Sequence, residues 1–156
     1  RGQLGGGSLA NVGDKPAQMG PGLSAINAGI GAAVSVLSVG DYSCFVSGSG
    51  TLFCWGSSPW FGGPVVQPRR VALSFEVARI SCGVGHCCAL DPAAVVRCWG
   101  MGQHHQLGLG FVDRTPDFAA PVPSLRGKVV NDVVVGDAFS CVKGSSLLKC
   151  WGKSLR

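Results

Sequence analysis

Short apolar runs separated by turn-forming residues fill this chain, and none of them is spaced like a helix. Cys87 to Leu90 and Val95 to Trp99 flank Asp91-Pro92, the pattern of a β-hairpin. Ser43 to Val46 and Thr51 to Trp55 flank Ser47-Gly48-Ser49-Gly50 in the same way. A third pair, Ser140 to Val142 and Leu147 to Trp151, turns at Gly144-Ser145. Ahead of each hairpin an apolar stretch predicts a lead strand: Ala32 to Val39, Phe75 to Cys82 and Val129 to Val135. Residues 1–22 read as loop. So do residues 57–69, with Pro59-Trp60-Phe61-Gly62-Gly63-Pro64, and the segment closed by Gln106-Leu107-Gly108-Leu109-Gly110. Without a sustained 3.6-residue period, helix is expected only as short turns near residues 23–28.

The hairpins repeat. Cys54-Trp55-Gly56, Cys98-Trp99-Gly100 and Cys150-Trp151-Gly152 each end one, at a period of 44 to 52 residues, and Cys44, Cys88 and Cys141 stand nine or ten positions upstream. Gln3-Leu4-Gly5 repeats Gln106-Leu107-Gly108. Such a period marks a propeller or solenoid, whose units bury both faces only by stacking on neighbours. The expected fold is all-β: one segment over residues 1–156 in three units, approximately 1–56, 57–100 and 101–156. Each unit supplies a lead strand and a hairpin, with room for a further edge in the loop.

Composition narrows this picture. Apolar residues make up 46% and charged residues 13%, which describes a packed chain rather than a disordered one. The net charge of +5 comes from scattered residues (Arg69-Arg70, Arg97, Arg114, Arg126, Lys128, Lys149) with no run longer than two, so nucleic acid is not an expected partner. Leu23 to Gly40 carries no charge, but Asn27, three serines and three glycines lower its hydrophobicity, so a buried strand is favoured over a membrane span. Eight cysteines at repeated spacings favour disulfides and an oxidising compartment, extracellular or in an organelle lumen. The chain begins with Arg1 and shows no secretory signal, which fits a processed protein or a segment of a longer one.

With these residues in view, the chain resembles the regulator-of-chromosome-condensation repeat family. That pattern runs close to G-x-x-H-x-C-A-L-x-x-x-G-x-V-x-C-W-G-x-N-x-x-G-Q-L-G-x-G, then Pro-Val-x-x-Leu. The second unit carries Gly83, His86, Cys88-Ala89-Leu90, Val96, Cys98-Trp99-Gly100, Gln106-Leu107-Gly108, Gly110, Pro121-Val122 and Leu125. The first keeps Gly40, Cys44 and Cys54-Trp55-Gly56; the third keeps Gly136, Cys141 and Cys150-Trp151-Gly152; neither has the histidine. The resemblance implies a β-propeller of four-stranded blades, usually seven. Three units form a partial propeller, because a ring closes with about four to eight blades. Further blades, another chain or a larger assembly would then cover its flanks.

Cysteines at matched distances from a hairpin turn can face each other where antiparallel side chains approach most closely. The pairs Cys44–Cys54, Cys88–Cys98 and Cys141–Cys150 are therefore expected, as in the cysteine-rich, extracytosolic versions of the family. Cys82 and Cys87 are left open: they pair with each other, stay free, or exchange roles with Cys88. A zinc site at Cys82, His86, Cys87 and Cys88 is disfavoured, since adjacent strand residues point to opposite faces. No metal or cofactor is expected.

Candidate chemistry is sparse. The one glutamate, Glu76, falls on a predicted lead strand, and Asp14, Asp41, Asp91, Asp113 and Asp137 sit in turns. Gly48-Ser49-Gly50 lies in a hairpin turn with no helix following, unlike a nucleophile elbow. The glycine clusters lack the strand and helix of a phosphate cradle, and His104-His105 reads as surface decoration. Trp55, Trp99 and Trp151 recur with the repeat and are expected between blades, each indole N–H meeting a carbonyl. Trp60 and Phe61 lie where no repeat demands aromatics, which makes them the candidate contact for a protein partner. The expected function is a non-catalytic binding or scaffolding segment. The alternatives are an accessory subunit of a large lumenal complex, membrane-bound ones included, and the activity the resemblance implies, guanine-nucleotide exchange on a small GTPase.

Overall fold

Directly opposed cysteines mark the register of each of the three repeated hairpins. Cys44 faces Cys54 across strands β2 (Tyr42–Ser47) and β3 (Leu52–Ser58). Cys88 faces Cys98 across β6 (His86–Leu90) and β7 (Val96–Gly100), and Cys141 faces Cys150 across β9 (Phe139–Gly144) and β10 (Leu147–Gly152). A fourth pair, Cys82 and Cys87, closes the hairpin between β5 (Arg79–Cys82) and β6. All four pairs lie at disulfide distance with Cα atoms 4.1 Å apart, close to the separation at non-hydrogen-bonded antiparallel positions.

The computed structural model describes residues 2–26, 34–39, 42–58, 63–110 and 120–154, with the backbone alone for residues 34–39 and 58. β1 (Val34–Val39), β2, β3 and β4 (Gly63–Arg70) form an antiparallel sheet in chain order. β5–β6–β7 form a second sheet, and β8 (Asp132–Val135), β9 and β10 a third. Neighbouring sheets meet through their lead strands, β1 on β5 and β5 on β8. The chain is an all-β partial propeller, and its sheets are blades 1, 2 and 3.

Of residues 57–69, expected as loop, 59–62 lie outside the described residues, 57–58 end β3 and 63–69 lie in β4. Pro64 and Pro68 lie within it, which an edge strand tolerates because its outward N–H groups need no partner. β4 breaks register between its pairings at Cys54↔Arg69 and Gly56↔Val65. In blade 2 the fourth position is reduced, among the described residues, to a bridge between Arg97 and Pro121, with Val122 N–H donating to the Val96 carbonyl. The second lead strand is shorter than Phe75–Cys82: it starts at Arg79, and Glu76 lies outside it, exposed in the preceding connection. Short 3₁₀ turns form at Pro16–Gln18, Gly20–Gly22 and Pro123–Leu125, not at Leu23–Ile26; residues 27–28 lie outside the described residues.

Two apolar cores fill the junctions. Tyr42, Cys44, Val46 and Leu52 of blade 1 pack on Ile80, Ala89 and Trp99 of blade 2. Leu90, Val96 and Cys98 pack on Val133 and Val142 of blade 3, with Leu107 and Val122 between. β6 serves both cores, so all five of its residues are buried. Its alternation explains how the adjacent cysteines part company, Cys87 and Ala89 toward blade 1, Cys88 and Leu90 toward blade 3.

Candidate functional site

Blades 1 and 3 are each fastened by a loop that precedes their strands in the chain. Trp151 Nε1 donates to the Gln106 carbonyl at 2.9 Å, and Ser140 Oγ donates to the same oxygen at 2.8 Å. In blade 1, Trp55 Nε1 and Ser43 Oγ donate to the Gln3 carbonyl at 2.7 and 2.9 Å. The glycine two residues on makes the approach feasible. Gly5 and Gly108 have φ of +69° and +68°, and a Cβ on either would lie 2.7 Å from the indole nitrogen. Gln-Leu-Gly is therefore a clasp whose working group is the backbone carbonyl of its glutamine. Trp99, the middle tryptophan, is buried as well.

His86 extends the clasp across the junction. With the Ser140 proton committed to Gln106, Ser140 Oγ accepts from His86 Nε2–H at 2.9 Å. The proton therefore sits on Nε2, and buried Nδ1 has no hydrogen-bond partner among the described residues. Burial lowers the His86 pKa from 6.5 to about 4, against the Asp137 carboxylate, which raises it. The ring is neutral at neutral pH. Serine beside histidine invites a nucleophile–base reading, but both are fully buried and the histidine is the donor. Tyr42 and Cys87 hold the matching positions between blades 1 and 2, with the Tyr42 hydroxyl 3.0 Å from Cys87 Sγ.

Sulfur collects at that first junction. Cys44 Sγ lies 3.9 Å from Cys82 Sγ, so the disulfides of neighbouring blades touch. Elsewhere the polar side chains shape turns. Asp91 accepts from Val95 N–H at 2.9 Å and pairs with Arg97 at 2.6 Å, while the Arg97 guanidinium lies 4.4 Å from the Phe75 ring centre. Beside that ion pair is a cleft of ≈ 700 Å³ with Val95, Val96, Pro121 and Leu125 along it and Arg126 and Lys128 at its rim.

The structure brings together Cys44 with Cys54, Cys88 with Cys98, and Cys141 with Cys150, and adds Cys82 with Cys87. The candidate contact residues Trp60 and Phe61 lie outside the described residues. His104 and His105 are exposed in a turn, where His105 takes φ +58° and Gln106 Oε1 accepts from His104 N–H. Sequence reasoning missed Ser140 and the tautomer of His86; the signal was there in Ser43, Cys87 and Ser140, each one residue before a repeat cysteine. Among the described residues no helix is long and apolar enough to cross a membrane.

No family model matches the chain. The E3 ubiquitin-protein ligase HERC2 of Homo sapiens is 40% identical over 76 residues, covering 47% of this chain. The mitochondrial RCC1 domain-containing protein RUG3 of Arabidopsis thaliana is 28% identical over 121 residues, covering 68%. The chain spans 2% and 27% of those two proteins. Among solved structures, human WBSCR16 superposes with a TM-score of 0.63 at 25% identity, over 79% of this chain and 35% of that one. Yeast RCC1 (Prp20), solved with Kap60, superposes with a TM-score of 0.62 at 22% identity, over 78% and 30%, a likeness of fold alone. A thrice-repeated motif, blades in propeller arrangement and these relatives together support an RCC1-repeat family.

Proposed function

We propose that this chain is a non-catalytic binding or scaffolding segment of a β-propeller, working through protein–protein contacts in an oxidising compartment, extracellular or lumenal. One observation carries the reading: the side chains best suited to chemistry are spent on fastening blades. His86 and Ser140 are buried in the clasp, Asp91 is held by a turn and Arg97, and all eight cysteines are paired. A rigid body of this kind presents loops, and loops on a rigid scaffold are where binding residues concentrate. Four disulfide-distance pairs favour an oxidising space. The partner-binding residues in this reading are Trp60 and Phe61. Further blades or neighbouring subunits are the natural partners for the flanks, which includes the role of accessory subunit in a larger, membrane-bound complex.

Crosslinking of the native chain in its compartment, followed by mass analysis, tests this reading. Trp60→Ala with Phe61→Ala should remove a crosslinked protein while leaving the four disulfides intact. Unchanged crosslinks would move the contact elsewhere, and a chain that crosslinks to nothing would overturn the binding role. The second reading, nucleotide exchange, draws on Prp20, which binds Gsp1p and histones. Faster release of guanine nucleotide from a small GTPase on adding this chain would establish it.

A further inference from the structure

Two neighbouring hairpins bring three cysteine sulfurs together, and a fourth, Cys54, is bonded to one of them. Cys44 and Cys54 come from blade 1, Cys82 and Cys87 from blade 2, and none is more than 6% exposed. The Sγ atoms of Cys44, Cys82 and Cys87 all lie within 4.8 Å of one another. The Cys44–Cys82 edge of that triangle is 3.9 Å, and these two belong to different disulfides, so the packing of the blades sets it. A tetrahedral zinc with Zn–S bonds of about 2.3 Å holds its sulfurs about 3.8 Å apart. The blade junction thus already provides one edge of a zinc–thiolate tetrahedron.

We propose that, with these two disulfides reduced, the chain binds one Zn²⁺ through the thiolates of Cys44, Cys82 and Cys87, with Cys54 completing the tetrahedron. A dithiol reductant gives each disulfide two electrons and two protons and is itself oxidised to a cyclic disulfide. Zinc then displaces one proton from each coordinating thiol. The Tyr42 hydroxyl, 3.0 Å from Cys87 Sγ, is placed to donate to a thiolate there. Thiol exchange between the blades fits less well. Attack runs along the S–S axis, and a Cys44 sulfur close to both Cys82 and Cys87 stands beside their bond rather than in line with it. One cluster therefore has two states: oxidised, it pins each blade to itself, and reduced, it joins two blades through a metal. This proposal does not rest on the function proposed above.

The test is anaerobic reduction of the whole chain, removal of the reductant, and titration with Co²⁺ as a spectroscopic probe. One Co²⁺ per chain is expected, with the intense visible bands of tetrahedral thiolate ligation, displaced by Zn²⁺. Cys82→Ser with Cys87→Ser should abolish those bands. Cys141→Ser with Cys150→Ser, in blade 3, should retain them. Cys54→Ser should bind the metal at least about tenfold more weakly. Equal binding by the Cys82/Cys87 variant, octahedral bands, or no binding would overturn the proposal. So would a loss of strand signal on reduction that zinc does not restore.

Discussion

His86 Nε2 lies 2.9 Å from Ser140 Oγ, and the two residues belong to neighbouring blades. Nε2–H donates with or without a proton on Nδ1; it is burial that disfavours the charged ring and lowers its pKa to about 4, from the usual 6.5. The unfolded chain therefore takes up this proton before the folded one does, so stability falls as pH falls between those two values. The His86 contribution is complete above pH 6.5, is lost on the way down to about 4, and amounts to about 3 kcal/mol. Denaturant midpoints measured across that range should decline in the natural chain. In His86→Phe, which copies the residue at the matching position Phe139, the same midpoints should stay nearly flat.

Gly108→Ala should be far costlier than Gly110→Ala. Both glycines have positive φ, +68° and +85°, so each alanine bears a left-handed penalty of roughly 1–2 kcal/mol. Only at Gly108 would the added carbon meet the Trp151 indole nitrogen at 2.7 Å; at Gly110 nothing among the described residues lies within 4 Å. Displacing the indole breaks its bond to Gln106, adding roughly 1–3 kcal/mol. Equilibrium unfolding of the two variants, with tryptophan fluorescence as the local readout, separates the two effects.

The native protein should weigh eight hydrogens less than its fully reduced form, since all four cysteine pairs lie at bonding distance. Replacing Cys88 and Cys98 by alanine should cost roughly 3 kcal/mol in the chain-entropy model, and replacing Cys82 and Cys87, which close a shorter loop, roughly 2 kcal/mol. Urea midpoints of the two double variants give that order directly.

Asp91→Ala should destabilise by roughly 1–3 kcal/mol, because it removes the side-chain acceptor of the Val95 N–H and the carboxylate that pairs with Arg97. Asp91→Asn keeps an oxygen for Val95 and should cost less. A difference between the two in thermal unfolding measures what Arg97 gains from the charge.

The hairpins and their cysteine pairs were legible because a two-residue alternation and a fixed distance from a turn leave little freedom. Cys82 and Cys87 could not be settled the same way. Their fate depends on how tightly Gly83-Val84-Gly85 turns, and the structure shows Gly83 N–H donating to the His86 carbonyl, which brings the two cysteines face to face. β4 was hidden by its own prolines, Pro64 and Pro68, which signal loop in sequence and are harmless on an edge. His86 was visible as a repeat position, but its partner Ser140 lies 54 residues away, beyond any local pattern. Gln-Leu-Gly was visible as a repeated string, and nothing in the string says that the carbonyl rather than the amide does the work.

The offset between clasp and tryptophan bears on synthesis. Gln3 precedes Trp55, and Gln106 precedes Trp151, so on the ribosome each cover emerges before the indole it will shield. Neither Trp55 nor Trp151 has to wait, exposed, for a later stretch of polypeptide to be translated before its N–H finds an acceptor.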